Sequence, residues 1–312
     1  MKLLIIGGSG HVSGALARAA VARGDAVWAV TRGKRPLPEG VRSIVADRKD
    51  SEAMAAAFAA FGLEWDLVVD CICFDLPDIR QDIALFRERT RQFVLVSTDF
   101  VYDPARRSFP QPATTCAYVS GGDGSLEYGR KKRLCELELI ESDTGAMAWA
   151  IVRPTHIYGA PSELGCLPLH GRDPRLIARL RSGETIHLVG GGHFLQQPIL
   201  ATDLADLVLS MAGNERAFAG IFNAAGPDVI ESRRYYEIVA ETLGVRPNIV
   251  ETPVDAYLAE HPGQAPFLCH RFYDLAPLRS AGLSVPATPL VDGLRRHVET
   301  LLTQSLTDPA AL

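Results

Sequence analysis

The chain has 312 residues, carries 32 Lys and Arg against 37 Asp and Glu for a formal net charge of −5, and is 47% hydrophobic. That length supports a full core and two lobes rather than several modules, and the acidic balance lacks the basic footprint of electrostatic nucleic-acid binding. No apolar stretch approaches the roughly 20 residues of a membrane span, so the expectation is a soluble, cytoplasmic protein without a membrane partner. Six cysteines are scattered at positions 71, 73, 116, 135, 166 and 269. Cys71 and Cys73 lie inside an apolar, strand-like run, which fits reduced thiols better than a disulfide framework, and no metal site is expected.

The first element is the most informative. Residues 3–14 read LLIIGGSGHVSG, a short apolar strand running into a glycine-rich turn. A buried parallel strand that ends in clustered glycines lets the backbone approach a pyrophosphate, and the next helix points free N–H groups and its positive dipole end at the charge. Gly7 and Gly10 fit the first two glycines of a G-x-x-G-x-x-G pattern, while Ser13 occupies the third, with Gly14 one place later. Ala15, Leu16, Ala19, Ala20 and Val21 then supply a small apolar helix face, Gly24 ends it, and AVWAV at 26–30 resumes as a strand. The chain thus opens as a βαβ unit, the context a dinucleotide site requires.

Strand-like runs follow at 43–46, 66–72, 92–97 and 148–153, alternating with helical stretches at 51–61, 76–88 and 129–141. The rhythm predicts an α/β fold with a Rossmann-type doubly wound parallel sheet and a ligand crevice at the carboxyl ends of its strands. Beyond Pro154, loops rich in Gly and Pro interleave with helices around 173–182, 202–213 and 231–243. The expected organisation is a dinucleotide-binding domain over 1–158, joined by returning elements at about 195–225. A smaller C-terminal substrate lobe is expected mainly from 159–194 and 226–312.

In YGRKKRLCELELIE, Tyr128 and Lys132 stand four apart, so a helix projects both from one face. An adjacent ammonium stabilises phenolate and eases proton exchange between the phenol and an alcohol or carbonyl. QFVLVSTDFVY puts Ser97, Thr98 and Asp99 at the carboxyl end of a core strand, where a hydroxyl can bond the same substrate oxygen. Taken singly, these segments also read as a solvated basic helix face and a strand-ending turn. The candidate catalytic residues are Thr98, Asp99, Tyr128 and Lys132.

GGSGHVSG, VADRKD, DLVVDCIC, VSTDFVY, YGRKK and IVRPTHIYG, with the later ILATDLADLVL, IFNAAG and FYDLAPLRSAG, together carry a family resemblance over nearly the whole length. The chain resembles the extended (atypical) short-chain dehydrogenases/reductases of the NAD-dependent epimerase/dehydratase type. The resemblance implies Tyr128 as acid/base, Lys132 as the group that lowers its pKa and holds the nicotinamide ribose, and Thr98 as the residue orienting the substrate oxygen. It places Asp47 at the adenine. Further cofactor contacts are expected at Gly7, Gly10, His11 and Val12 in the turn and at Arg32 and Arg48 beyond the second and third strands. Cys71, Ile72, Lys132 and Pro154 complete the set at the ends of later strands.

Thr31-Arg32, followed by Gly33, Lys34 and Arg35, stand where an acidic residue often accepts bonds from the adenosine ribose. A guanidinium in place of a carboxylate favours a 2′-phosphate, hence NADP(H) over NAD(H), with a solvated basic turn as the alternative. STDFVYD is similar to a stretch of nucleotide-sugar 4-keto reductases and 4,6-dehydratases, but Phe100 stands where the dehydratases carry Glu. Elimination is therefore disfavoured, and reduction or epimerisation remains.

HFLQQPILATDLA offers Gln196 and Gln197 where the family often has an arginine for a nucleotide diphosphate, and a neutral amide brings no charge to a phosphate. The expected substrate is a sugar-like secondary alcohol or ketone, as a keto-sugar or nucleotide sugar, with His156, Gln196 and Arg271 as its candidate contacts. Tyr158 and His193 are further polar groups on that side. The leading expectation is an NADP(H)-dependent reductase, and an NAD-dependent sugar epimerase is the alternative. A cofactor-bound regulatory or RNA-binding protein on the same fold is the alternative of another class, opposed by the complete Thr98, Tyr128 and Lys132 set and by the acidic balance. The expected partners are a small molecule and a second copy in a homodimer, not nucleic acid.

Overall fold

Strands buried on both faces need apolar residues, and in β1 (Lys2–Ile6) the run LLII after the exposed Lys2 meets that demand. In the computed structural model, which describes residues 1–61, 64–121, 124–166, 168 and 171–307, β1 lies inside a seven-stranded sheet. The others are β2 (Ala26–Thr31), β3 (Arg42–Val45), β4 (Leu67–Asp70), β5 (Gln92–Val96), β6 (Ala148–Pro154) and an edge strand, Gly220–Ala224. All pairings are parallel, in the order edge strand, β6, β5, β4, β1, β2, β3.

Because successive side chains point to opposite faces, β1 feeds two cores. Leu3 and Ile5 face α1 (His11–Ala22) and the helix Ala201–Ser210. Leu4 and Ile6 face α2 (Ser51–Phe61), α3 (Leu76–Phe86) and α4 (Glu127–Glu141). The fold is therefore the Rossmann-like, doubly wound α/β arrangement. A third core, built on Tyr158, Leu176, Tyr235, Leu290 and Leu294, gathers the helices Ser232–Thr242 and Leu290–Thr307.

Of the boundaries that differ from the expectation, two bear on the crevice. The fourth strand stops at Asp70 rather than 72, because the Asp70 carboxylate accepts the Ile72 N–H at 2.7 Å and turns the chain. Cys71 and Cys73 consequently lie in the loop beyond the strand, Cys73 inside the core and Cys71 at the crevice. The fourth helix starts at Glu127 instead of 129, which brings Tyr128 into its first turn. No helix of the described residues is long and apolar enough to cross a membrane.

Candidate active site

The glycine turn is shaped so that side chains do not fit. Gly7 has φ +117° and a Cβ there would meet Ile72 at 3.1 Å, while one on Gly8 would stand 2.4 Å from the Ala29 Cβ. Ser13, at the place of the third expected glycine, accepts the Gly10 N–H on its hydroxyl at 3.0 Å and so closes the turn against the first turn of α1. The result is a bare backbone cradle at a helix amino terminus, which fits the phosphates of a dinucleotide.

Beside it opens a cavity of about 360 Å³ lined by Gly7, Gly10, Arg32, Asp47 and Ile72, all five expected at the cofactor, and by Arg35. Arg48 also borders it, but its side chain is used elsewhere. Its guanidinium is buried among Asp70, Asp78 and Asp82 and ion-pairs all three, which corrects the expectation of a cofactor contact through this group. Burial and the neighbouring Asp70 push the Asp82 carboxyl well above the ordinary range, against the pull of Arg48. Asp70, Cys73 and Asp82 bring ligand atoms within 4.8 Å of one another, yet Arg48 already ion-pairs both carboxylates.

A second cavity of about 250 Å³ lies at the carboxyl ends of β5 and β6, and Phe74 borders both. Val12, Cys71, Thr98, Asp99, Tyr128, Lys132, Pro154 and His156 line it, so the structure brings together most of the residues expected at the reacting end. Tyr128 is 45% exposed, whereas Lys132 is 1% exposed and donates to the carbonyls of Cys73 at 2.7 Å and Val96 at 2.6 Å. Thr98 accepts the Phe100 N–H at 3.3 Å, which leaves its hydroxyl proton to donate. Phe100 packs edge-on to Tyr128 and Phe267, with ring centroids 6.2 and 5.7 Å apart. Burial pushes the Cys71 thiol up, so it stays protonated.

Beneath the cavity α4 is pinned by Glu136, which accepts from Arg153 at 2.8 and 2.7 Å, from Ser97 at 2.6 Å and from Arg133 at 2.8 Å. Burial alone would raise the Glu136 carboxyl, but Arg153 overrides it and holds the group below the usual carboxylate range. The approach is so close that a Cβ on Gly129 would lie 2.0 Å from the Phe100 carbonyl oxygen.

Three expected site residues are engaged by other parts of the chain. Asp99, a candidate catalytic group, is buried and accepts from Arg271 at 2.7 Å and from Tyr273 at 2.5 Å, with Arg107 at 3.6 Å. Burial opposes its ionisation, but Arg271 and Arg107 hold it below the ordinary value. Arg271, a candidate substrate contact, is spent on that bond and lies 4.5 Å over Phe100. Gln196 is buried, bonds the Cys269 carbonyl at 3.4 Å and does not line the catalytic cavity. Its neighbour Gln197 is likewise engaged, donating to Gly226 and accepting from Tyr273, each at 2.8 Å. Tyr158 is buried, and His193 pairs with Glu231 at 3.0 Å on the surface.

His11 faces a third cavity on the outer side of the glycine turn instead of either of these two. Burial, with Arg172, His297 and Arg18 nearby, pushes it down to about 4. Residues that the sequence did not mark for the site are Arg172 and Phe74 at the second cavity and Arg107 beside Asp99, while Tyr273, inside the FYDLAPLRSAG segment, carried no assigned role.

A Rossmann-type sheet, with a tyrosine and a lysine one turn apart on the helix beside its crevice, defines the class of short-chain dehydrogenases/reductases. The model of the NAD dependent epimerase/dehydratase family matches residues 83–225 of the chain. The 2'-dehydrokanamycin reductase of Streptomyces kanamyceticus is 28% identical over 278 residues, which cover 86% of this chain and 74% of that one. The chloroplast stem-loop binding protein of 41 kDa b of Arabidopsis thaliana is 26% identical over 240 residues, or 72% of this chain and 58% of that protein's length. The fold is shared with the UDP-glucose 4-epimerase of Thermus thermophilus, solved with NAD, at a TM-score of 0.74 and 18% identity over 97% of this chain and 99% of that one.

Gly129→Ala should therefore cost stability, by about 1–3 kcal/mol for overpacking of this kind, and lower turnover by moving Tyr128. Urea unfolding and steady-state kinetics check this, and a variant unchanged in both would contradict the close approach of α4 to Phe100.

Proposed function

We propose that the protein is an NADP(H)-dependent reductase of a ketone on a sugar-like substrate. The observation that carries the reading is the convergence of Thr98, Tyr128 and Lys132 on one cavity in which Phe100 offers no acid for elimination. When bound, the reduced dinucleotide supplies a hydride to the carbonyl carbon. Tyr128 gives its phenolic proton to the carbonyl oxygen while Thr98 donates a hydrogen bond to the same atom, and solvent reprotonates the half-exposed phenolate. Lys132 spends two of its three N–H groups on the Cys73 and Val96 carbonyls, which leaves the third for a ribose hydroxyl and fixes the positive charge on the side of Tyr128.

Aromatic walls from Phe74, Phe100 and Tyr128 suit the apolar face of a sugar ring, with His156 and Arg172 for its hydroxyls. Because Gln196 and Arg271 are turned into the framework, neither supplies the charge that would grip a nucleotide diphosphate. This supports a keto-glycoside over a nucleotide sugar, in line with the activity for which the Streptomyces relative is named. Arg32 and Arg35, without a carboxylate in place of Arg32, support a 2′-phosphate at the adenosine end.

Tyr128→Phe should lower turnover of a keto-glycoside by roughly 10²-fold or more with cofactor affinity nearly intact. Equal activity would remove the phenol from the reaction. Arg32→Ala should weaken NADPH about 10- to 100-fold and barely change NADH, as loss of one charge-assisted bond implies. If the wild-type protein binds NADH more tightly than NADPH, the epimerase reading moves ahead.

A further inference from the structure

The third cavity, about 450 Å³, is walled by Ser9, Gly10 and His11 of the glycine turn, by Arg18 and Arg35, and by Arg172 from the substrate lobe. Two of these cations belong to neighbouring cavities as well. Arg35 also borders the adenosine side with Arg32, and Arg172 also borders the catalytic cavity. Arg32, Arg35, Arg18 and Arg172 thus line three cavities in series around the glycine turn, each sharing an arginine with the next. A ligand that meets the whole series is elongated and anionic in its middle.

Further observations point the same way. Among the described residues, Arg18, Arg32 and Arg35 form no ion pair, while Arg172 donates only to the Ile157 carbonyl, at 3.0 Å. One carboxylate, Glu163, lines the cavity against three guanidiniums. Both ring nitrogens of His11 are buried there without a hydrogen-bond partner, a deficit that native interiors seldom leave unfilled. His11 is neutral at physiological pH, so it offers a donor and not a charge.

We infer that Arg172 and Arg18 grip the pyrophosphate of the dinucleotide from the side opposite the backbone amides of the glycine turn, with Arg172 reaching across from the substrate lobe. The inference rests on the proposed dinucleotide site but not on the choice between NADP(H) and NAD(H), since both carry the same pyrophosphate. Its functional consequence is that cofactor affinity depends on Arg172, a residue that also borders the cavity of Tyr128 and Lys132.

Calorimetric titration of the full-length protein with NADPH, NADH, ADP-ribose and adenosine 2′-monophosphate tests this. Arg172→Ala should weaken NADPH, NADH and ADP-ribose alike, by roughly tenfold, and leave adenosine 2′-monophosphate unchanged, whereas Arg32→Ala should weaken NADPH and adenosine 2′-monophosphate. Arg172→Lys, which keeps the charge without the fork, should recover part of the loss. Unchanged dinucleotide affinity with a raised KM for the ketone would assign Arg172 to the substrate and overturn the inference. Parallel weakening of adenosine 2′-monophosphate would overturn it too, since that probe has no pyrophosphate. If the wild-type protein takes up none of the dinucleotides, the underlying reading falls, and the clamp with it.

Discussion

Glu136 and Arg153 face each other in two hydrogen bonds of 2.8 and 2.7 Å, both side chains wholly out of solvent. Either charge buried alone would cost on the order of several kcal/mol, so each fixes the other's position. Arg153 belongs to β6, Glu136 to α4, and Ser97 at the end of β5 donates to the same carboxylate. The helix is thereby tied to both strands that frame the crevice. Tyr128, Lys132 and Glu136 recur every four residues and lie along one stripe of α4. Phenol, ammonium and buried carboxylate thus form one column running from the solvent edge into the core.

A second buried anchor brings distant chain to the same place. Asp99, next to Thr98, binds Arg271 and Tyr273, 172 and 174 residues further on. Arg107 donates to Tyr273 at 2.9 Å and to the Asp99 carbonyl at 3.0 Å. Phe267 from the same late segment then packs against Phe100 at the cavity. This side of the crevice is therefore built by folding the segment around 267–273 back onto the end of β5, with charge burial as the device that sets its register.

Local and periodic features were legible in the sequence. Apolar runs with opposite-face alternation specified the sheet, the glycine turn specified a cradle, and a spacing of four put Tyr128 and Lys132 together. What could not be read is whether a charged or amide side chain meets a ligand or another part of the chain. Asp99, Arg271, Gln196 and Arg48 carry the residue types of a binding site, yet their partners lie from 22 to 174 residues away and are themselves polar. The same blindness hid Arg172, whose position depends on how the substrate lobe meets the glycine turn. Ser13 looked like a defect in the motif because side-chain replacement of a backbone constraint leaves no periodic trace, whereas its hydroxyl closes the turn.

The two buried anchors together explain why a reducing centre is the reading the site favours. They consume the acids and the arginine near Thr98, leaving the cavity a hydroxyl, a phenol and an ammonium held in place, set among aromatic walls. Such a set can move one proton to an oxygen, and Phe100 supplies no carboxyl beside it for elimination. The most direct test is to incubate the protein with a keto-glycoside and the reduced dinucleotide carrying deuterium at the transferable position, and to analyse the product by mass spectrometry and NMR. The account predicts one deuterium on the new carbinol carbon for each oxidised dinucleotide formed. An inverted sugar alcohol without deuterium and without net oxidation of the dinucleotide would contradict it.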